Sequence, residues 1–100
     1  MPKNKTEIIK EIDGYIQKDN SSYSNWYVGI AKDPRDRLFN DHKVSAYGGR
    51  WIYCEAYSDT SAREVESFFL DYKGTQGGPG GGDEDSRFVY AYRITSATKE

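Results

Sequence analysis

The stretch NWYVGIAKDPRDRL, residues 25–38, changes character at its middle. Its first half, WYVGIA, is β-branched and aromatic, as a strand requires. Asp33-Pro34 then supplies a helix N-cap followed by proline at the first helical position, where the missing N–H costs nothing. The spacing predicts a strand that runs directly into a helix over about residues 34–43. A phenol at Tyr27, a bare backbone at Gly29 and two guanidinium groups at Arg35 and Arg37 stand close to this junction.

On the N-terminal side, Ile8, Ile9, Ile12, Tyr15 and Ile16 fall within about one third of a helical wheel and predict a helix over residues 6–19, with Asp13 and Gly14 on its outer face. The polar run KDNSSYSN ends it. On the C-terminal side, SAYGGR reads as a turn and WIYCEAYS, residues 51–58, as a second strand apolar enough to pair centrally. Ser61 and Glu64 read as a capping box opening a helix whose buried stripe is Ala62, Val65, Phe69 and Tyr72. The glycine-rich GTQGGPGGGDED, residues 74–85, cannot continue that helix. It lacks the Gly-Lys-Ser/Thr ending of a phosphate-binding loop, its DED run repels anions, and it reads as a flexible connector. The last element, RFVYAYRIT, alternates Phe88, Tyr90, Tyr92 and Ile94 on one face with Val89, Ala91 and Arg93 on the other. The order α-β-α-β-α-β predicts an α+β domain, a small three-stranded sheet with helices packed on it.

One hundred residues fit a single domain, 1–100. An apolar fraction of only 36% is offset by nine tyrosines, which bury large rings while keeping a polar tip available. The lone Cys54 excludes an internal disulfide, and the N-terminal residues carry no apolar run resembling a signal peptide or a membrane span. A reducing, cytoplasmic location with no membrane partner is the expectation. A net charge of −2 does not mark a generic nucleic-acid binder, so any phosphate site must be local.

The YVG of residues 27–29, followed by arginine at position 37, resembles the second half of the GIY-YIG nuclease motif. Downstream, SAREVESFF resembles the family's metal-binding helix, an alanine with a glutamate four residues later, here Ala62 and Glu66. The likeness covers roughly residues 25–70. It implies helices around a three-stranded antiparallel sheet and an endonuclease that cuts nucleic-acid phosphodiesters, DNA or RNA, with one divalent ion, Mg2+ or Mn2+. The family's GIY strand pairs with its YIG strand. DGYI at 13–16 lies at a suitable distance but reads as helix, whereas VYAYRI is a stronger strand, so Tyr90 or Tyr92 supplies the first-motif tyrosine in a permuted member. Many relatives place a histidine four residues after the arginine. Asp41 stands there, and His42 is one residue further, about 140° from Arg37 on an α-helix, so it joins the site only with a shift of backbone or rotamer.

The resemblance gives Tyr27 to water activation, Arg37 to the phosphate and Glu66 to the metal. A phenol ionises at about 10 and needs nearby positive charge to act as a base. One carboxylate suits magnesium, which keeps several waters and borrows phosphate oxygens. Each residue also has a structural reading: Tyr27 as a packed sheet tyrosine, Arg37 as a surface partner of Asp33 or Asp41 with Arg35 as its substitute, and Glu66 as a boundary carboxylate. Glu64, further from the apolar stripe, is the weaker ligand. Lys32, Arg35, Arg37, Lys43 and Arg50 outnumber Asp33, Asp36 and Asp41 over residues 32–50, enough for a small phosphate site. Long duplexes would require a protein partner, a homo-oligomer or a short structured substrate. A catalytically silent module of the same fold, binding protein or nucleic acid, is the alternative.

Overall fold

The computed structural model describes residues 2–19, 22–77 and 86–99. Helix α1, Lys5–Lys18, opens with a capping box: the Asn4 side chain accepts the Glu7 N–H at 2.9 Å, and the Glu7 carboxylate accepts the Asn4 N–H at 3.1 Å. Strand β1, Trp26–Ala31, leads into α2, Pro34–Asp36, which widens into a π turn over Arg37–Asp41. Strand β2 is Trp51–Glu55, and α3 is Asp59–Phe68, again widening into a π turn over Phe69–Lys73. Strand β3, Phe88–Arg93, completes an antiparallel sheet of order β1-β3-β2. The fold is α+β, three strands flanked by helices.

The period-two alternation of each strand sorts side chains into two layers. Ile8, Ile12 and Ile16 of α1 and Ala62, Val65 and Phe69 of α3 pack against Trp26, Val28, Ile30, Val89, Ala91 and Cys54 on one face. On the other, Leu38 and Val44 cover Tyr90 and Tyr92, with Tyr27, Phe39, Trp51 and Tyr53 around them. One layer is an aliphatic core and the other is largely aromatic.

Several local expectations are corrected. The residues of WIYCEAYS do not pair centrally: β2 is an edge strand, and β3, buried from Val89 to Tyr92, takes the middle because both neighbours bond to it. The cap of α3 is Ser58, which accepts the Ser61 N–H at 3.1 Å, so Ser61 and Glu64 lie inside the helix rather than opening it. Tyr72 is 80% exposed because the π turn after Phe68 rotates it off the stripe. Asp13 does not face open solvent: it accepts the Tyr23 hydroxyl and the Gln17 amide. Gly74, at φ 79°, ends the α3 segment in a left-handed conformation that suits glycine. The connector reading for residues 78–85 lies outside the described residues. Among the described residues, no helix is long and apolar enough to cross a membrane.

Ile12→Ala removes a fully buried side chain from the contact between α1 and the sheet and is expected to cost about 2–5 kcal/mol. Tyr72→Ala should shift stability by less than about 0.5 kcal/mol. Paired urea denaturations check both values.

Candidate active site

Asp33 accepts the Asp36 N–H at 3.2 Å and starts α2, with Pro34 in its first turn. The ladder then lengthens, and the His42 N–H donates to the Arg37 carbonyl, five residues back, at 2.9 Å. This i→i+5 bond is the backbone shift that the fifth-residue spacing required. The extra residue is absorbed, Lys43 takes up a positive φ of 60°, and His42 is turned into the aromatic layer with only 5% exposure.

Both ring nitrogens of His42 are engaged. Nδ1 lies 2.7 Å from the Lys99 carbonyl oxygen, which can only accept, so Nδ1 carries the proton. Nε2 is then the acceptor for the Tyr90 hydroxyl at 2.8 Å. The Tyr92 hydroxyl lies 3.1 Å from Nδ1 and donates to the Lys99 carbonyl at 3.3 Å. The Lys99 N–H in turn donates to the His42 carbonyl at 2.6 Å, so the C-terminal segment holds the histidine by backbone and ring together.

Tyr27 packs against this group, with ring centroids 4.7 Å from His42, 5.2 Å from Tyr92 and 6.3 Å from Tyr90. Its register partner is Tyr92, and that of Tyr90 is Gly29. A Cβ added at Gly29 would stand 2.6 Å from the Tyr90 hydroxyl and 2.7 Å from its ring carbon Cζ, so the phenol leans across β1 where only glycine leaves room.

Burial, first, and then the neighbouring Tyr27 push the Tyr90 phenol well above its ordinary value of about 10. Arg37 opposes the shift, and Glu66 and Asp41 add to it. Tyr90 is therefore held protonated. Arg37 pairs with Asp41 at 3.5 Å and remains 40% exposed.

Glu66 does not join this group: α3 packs on the aliphatic face of the sheet, while Tyr27 belongs to the aromatic one. The expected set thus gathers Tyr27, His42, Tyr90 and Tyr92 in direct contact, whereas Glu66 shares only their electrostatic field. Glu66 is 8% exposed and makes no hydrogen bond among the described residues. Burial pushes its carboxyl up to about 7, against the lowering influence of Arg63. Among the described residues, no three His, Cys, Asp or Glu side chains gather to hold a metal ion. A single carboxylate, with Asp41 acting on the same phenol, fits magnesium or manganese bound mostly by water and phosphate oxygens. It does not fit zinc, which takes three or four protein ligands.

The remaining candidates are dispersed. Lys32 and Lys43 are exposed. Arg35 donates to the Tyr53 hydroxyl at 3.3 Å, and Arg50 is bound to Asp19 at 2.7 Å, away from Tyr90's neighbours. Cys54 lies in the aliphatic layer, its thiol pushed up to about 11 by burial and by Glu11, and is no nucleophile for His42. The Lys99 carbonyl was absent from the sequence reading, because a backbone acceptor leaves no mark in residue type. Comparison with protein families, curated proteins and solved structures returns no match.

The Glu66 shift has a signed consequence. Its carboxyl titrates at about 7 in the fold and near 4.5 otherwise, so the folded chain keeps a proton that the unfolded chain releases between those values. Stability contributed by the neutral carboxyl is present below about pH 4.5 and is lost as pH rises through about 7. Glu66→Gln lacks this loss. Its melting temperature should exceed that of the wild type at about pH 8 by more than at about pH 4. Thermal denaturation at the two pH values tests this, and an equal gap at both would rule out burial as the cause.

Proposed function

We propose that this chain is a GIY-YIG-like endonuclease that hydrolyses phosphodiester bonds in DNA or RNA, acting in the cytoplasm with Mg2+ or Mn2+. The observation that carries the reading is the packing of Tyr27, Tyr90, Tyr92 and His42 into one group at the end of the π turn that bears Arg37. Phosphodiester hydrolysis needs such a gathering of phenols, an imidazole and a guanidinium, since water, phosphate and charge compensation must be assembled together.

The protonated Tyr90 acts as a relay. As the water oxygen bonds to phosphorus and the P–O bond to the leaving oxygen breaks, the water proton passes to the Tyr90 oxygen. The Tyr90 proton passes to Nε2 of His42. The Lys99 carbonyl fixes the ring tautomer and favours the resulting imidazolium, as an oriented third group does in other nucleophile–base pairs. Tyr27 orients the water, and Arg37 exchanges Asp41 for the phosphate in forked geometry. Glu66 would hold a divalent ion, which supplies charge compensation on the phosphoryl and leaving oxygens when bound.

A catalytically silent module that binds protein or nucleic acid is favoured by one observation: Arg37 is already paired with Asp41 and both nitrogens of His42 are already bonded. Cleavage assays on branched, nicked and plain DNA with Mg2+ or Mn2+ separate the readings. Tyr90→Phe and His42→Ala should each lower the rate by about 10²–10⁴-fold. Glu66→Ala should abolish the metal-dependent reaction, and cleavage unchanged in that variant would indicate contamination. Arg37→Ala should weaken binding and its salt dependence more than Lys10→Ala, which lies on the exposed side of α1. Equal losses would favour diffuse electrostatics over a site.

A further inference from the structure

The aromatic face does not end at Tyr90. Tyr53 of β2 is the register partner of Tyr90, so the two side chains leave the sheet on the same face, and Phe88 precedes Tyr90 by two residues on that face. Phe88 meets Tyr53 edge-on, with centroids 6.0 Å apart and an interplanar angle of 72°. Together with Lys32, Asp33, Pro34 and Arg35 from the strand-to-helix junction, they line a cavity of about 400 Å³. That volume lies within the range of about 300–1,000 Å³ common to small-ligand sites. None of these side chains takes part in the proton relay.

The chemistry of the walls is specific in kind. Two half-buried aromatic rings offer apolar faces, and the Arg35 guanidinium steadies one of them by donating to the Tyr53 hydroxyl. Lys32 and Arg35 place two cations at the rim. The Asp33 carboxylate beside them caps α2 by accepting the Asp36 N–H, and the rim keeps a surplus of one positive charge. A larger cavity, about 550 Å³ between α1 and α3, has Lys5, Arg63, Glu64 and Asp71 in its lining, and this mixed charge singles out no ligand.

We infer that the Tyr53–Phe88 cavity receives an unpaired nucleobase of DNA beside the scissile phosphate. A base is flat and apolar on its faces and is followed one nucleotide away by an anion, which matches an aromatic wall under a cationic rim. Neighbouring strands lie about 4.7–4.9 Å apart, so a base beside Tyr53 and a phosphate at Tyr90 and Arg37 belong to the same or adjacent nucleotides. A base within a duplex has both faces covered by its neighbours and cannot stack on protein without leaving the helix. The assignment rests on the nuclease reading and narrows its substrate to DNA with an extrahelical nucleotide at a branch, flap or frayed end.

The test is binding of the full chain in chelator, where metal-dependent cutting is absent. Fluorescein-labelled hairpins are compared by anisotropy: one with a single unpaired thymidine at the end of the duplex, the same hairpin with an abasic residue there, and a blunt one. The wild type should prefer the thymidine hairpin over the abasic one by about 5- to 150-fold. Tyr53→Val, a strand-compatible change, should remove that preference while leaving affinity for the abasic hairpin, and Tyr53→Phe should retain most of it. No preference in the wild type, or a preference undiminished in Tyr53→Val, overturns the cavity assignment. The outcomes also separate the two levels. A chain that discriminates the base but never cuts loses only the nuclease reading, and one that cuts without discriminating loses only the cavity. A chain that binds none of the hairpins overturns the cavity assignment whatever its cleavage result.

Discussion

A buried imidazole must have both ring nitrogens satisfied, and for His42 the partners stand 48 and 57 positions away in the chain. The Tyr90 hydroxyl fixes one side of the ring and the Lys99 carbonyl the other. The first bond joins the π turn to the central strand, and the second joins it to the C-terminal segment. The requirement extends outward. The Tyr90 ring can reach Nε2 only by leaning over β1, which demands glycine at position 29. The C-terminal segment can reach Nδ1 only because β3 delivers it to the end of the π turn. Histidine, tyrosines and backbone thus form one unit whose parts are far apart in sequence.

The strands were legible because their signal is local. Period-two alternation in RFVYAYRIT specified which face each tyrosine would take, and the structure keeps that division. Asp33-Pro34 marked the start of α2 for the same reason: a cap and its proline act within one turn. What failed was information that no single segment holds. Serines at 58 and 61 are both competent caps, and the choice depends on where β2 ends. The central position of β3 depends on the pairing of all three strands. The two π turns were illegible because an α-helical wheel assigns every residue a fixed angle. An i→i+5 bond adds a residue to the turn, which brings His42 in and carries Tyr72 out. At the site, residue identity exposed the charged and aromatic members but not the Lys99 carbonyl or the layer from which Glu66 approaches.

The stability of so small a fold comes from elsewhere than its polar centre. The aliphatic layer, with Ile8, Ile12, Trp26, Val28, Val65 and Phe69 fully buried, supplies most of the favourable apolar burial. The aromatic layer carries an imidazole and several phenols whose hydroxyls need partners. Asp19 adds a second polar anchor. It is almost fully buried, accepts both Arg50 and Arg93, at 2.7 and 3.2 Å, and ties the end of α1 to the end of β3. Arg93 Nε is left without a partner among the described residues, so even this anchor is incompletely satisfied. Only the Asp19 carboxylate depends on the pairing for its burial, since Arg50 and Arg93 keep 60% and 40% of their side chains exposed and can return to water.

This division of labour bears on why Tyr90 carries so many neighbours. A phenol surrounded only by hydrophobic groups would be protonated and inert, and one surrounded only by cations would be ionised and bound to them. Tyr90 stands between these limits. Burial, Tyr27, Glu66 and Asp41 favour the protonated form, and Arg37 favours the ionised one. An incoming phosphate that draws Arg37 from Asp41 would add a second negative charge near the hydroxyl and raise its proton affinity further. A cation placed at Glu66 would cancel part of that negative field and make the proton easier to release to His42. Under the proposed reading the two ligands would thus act in opposite directions on one proton, phosphate holding it on Tyr90 and the cation easing it toward His42.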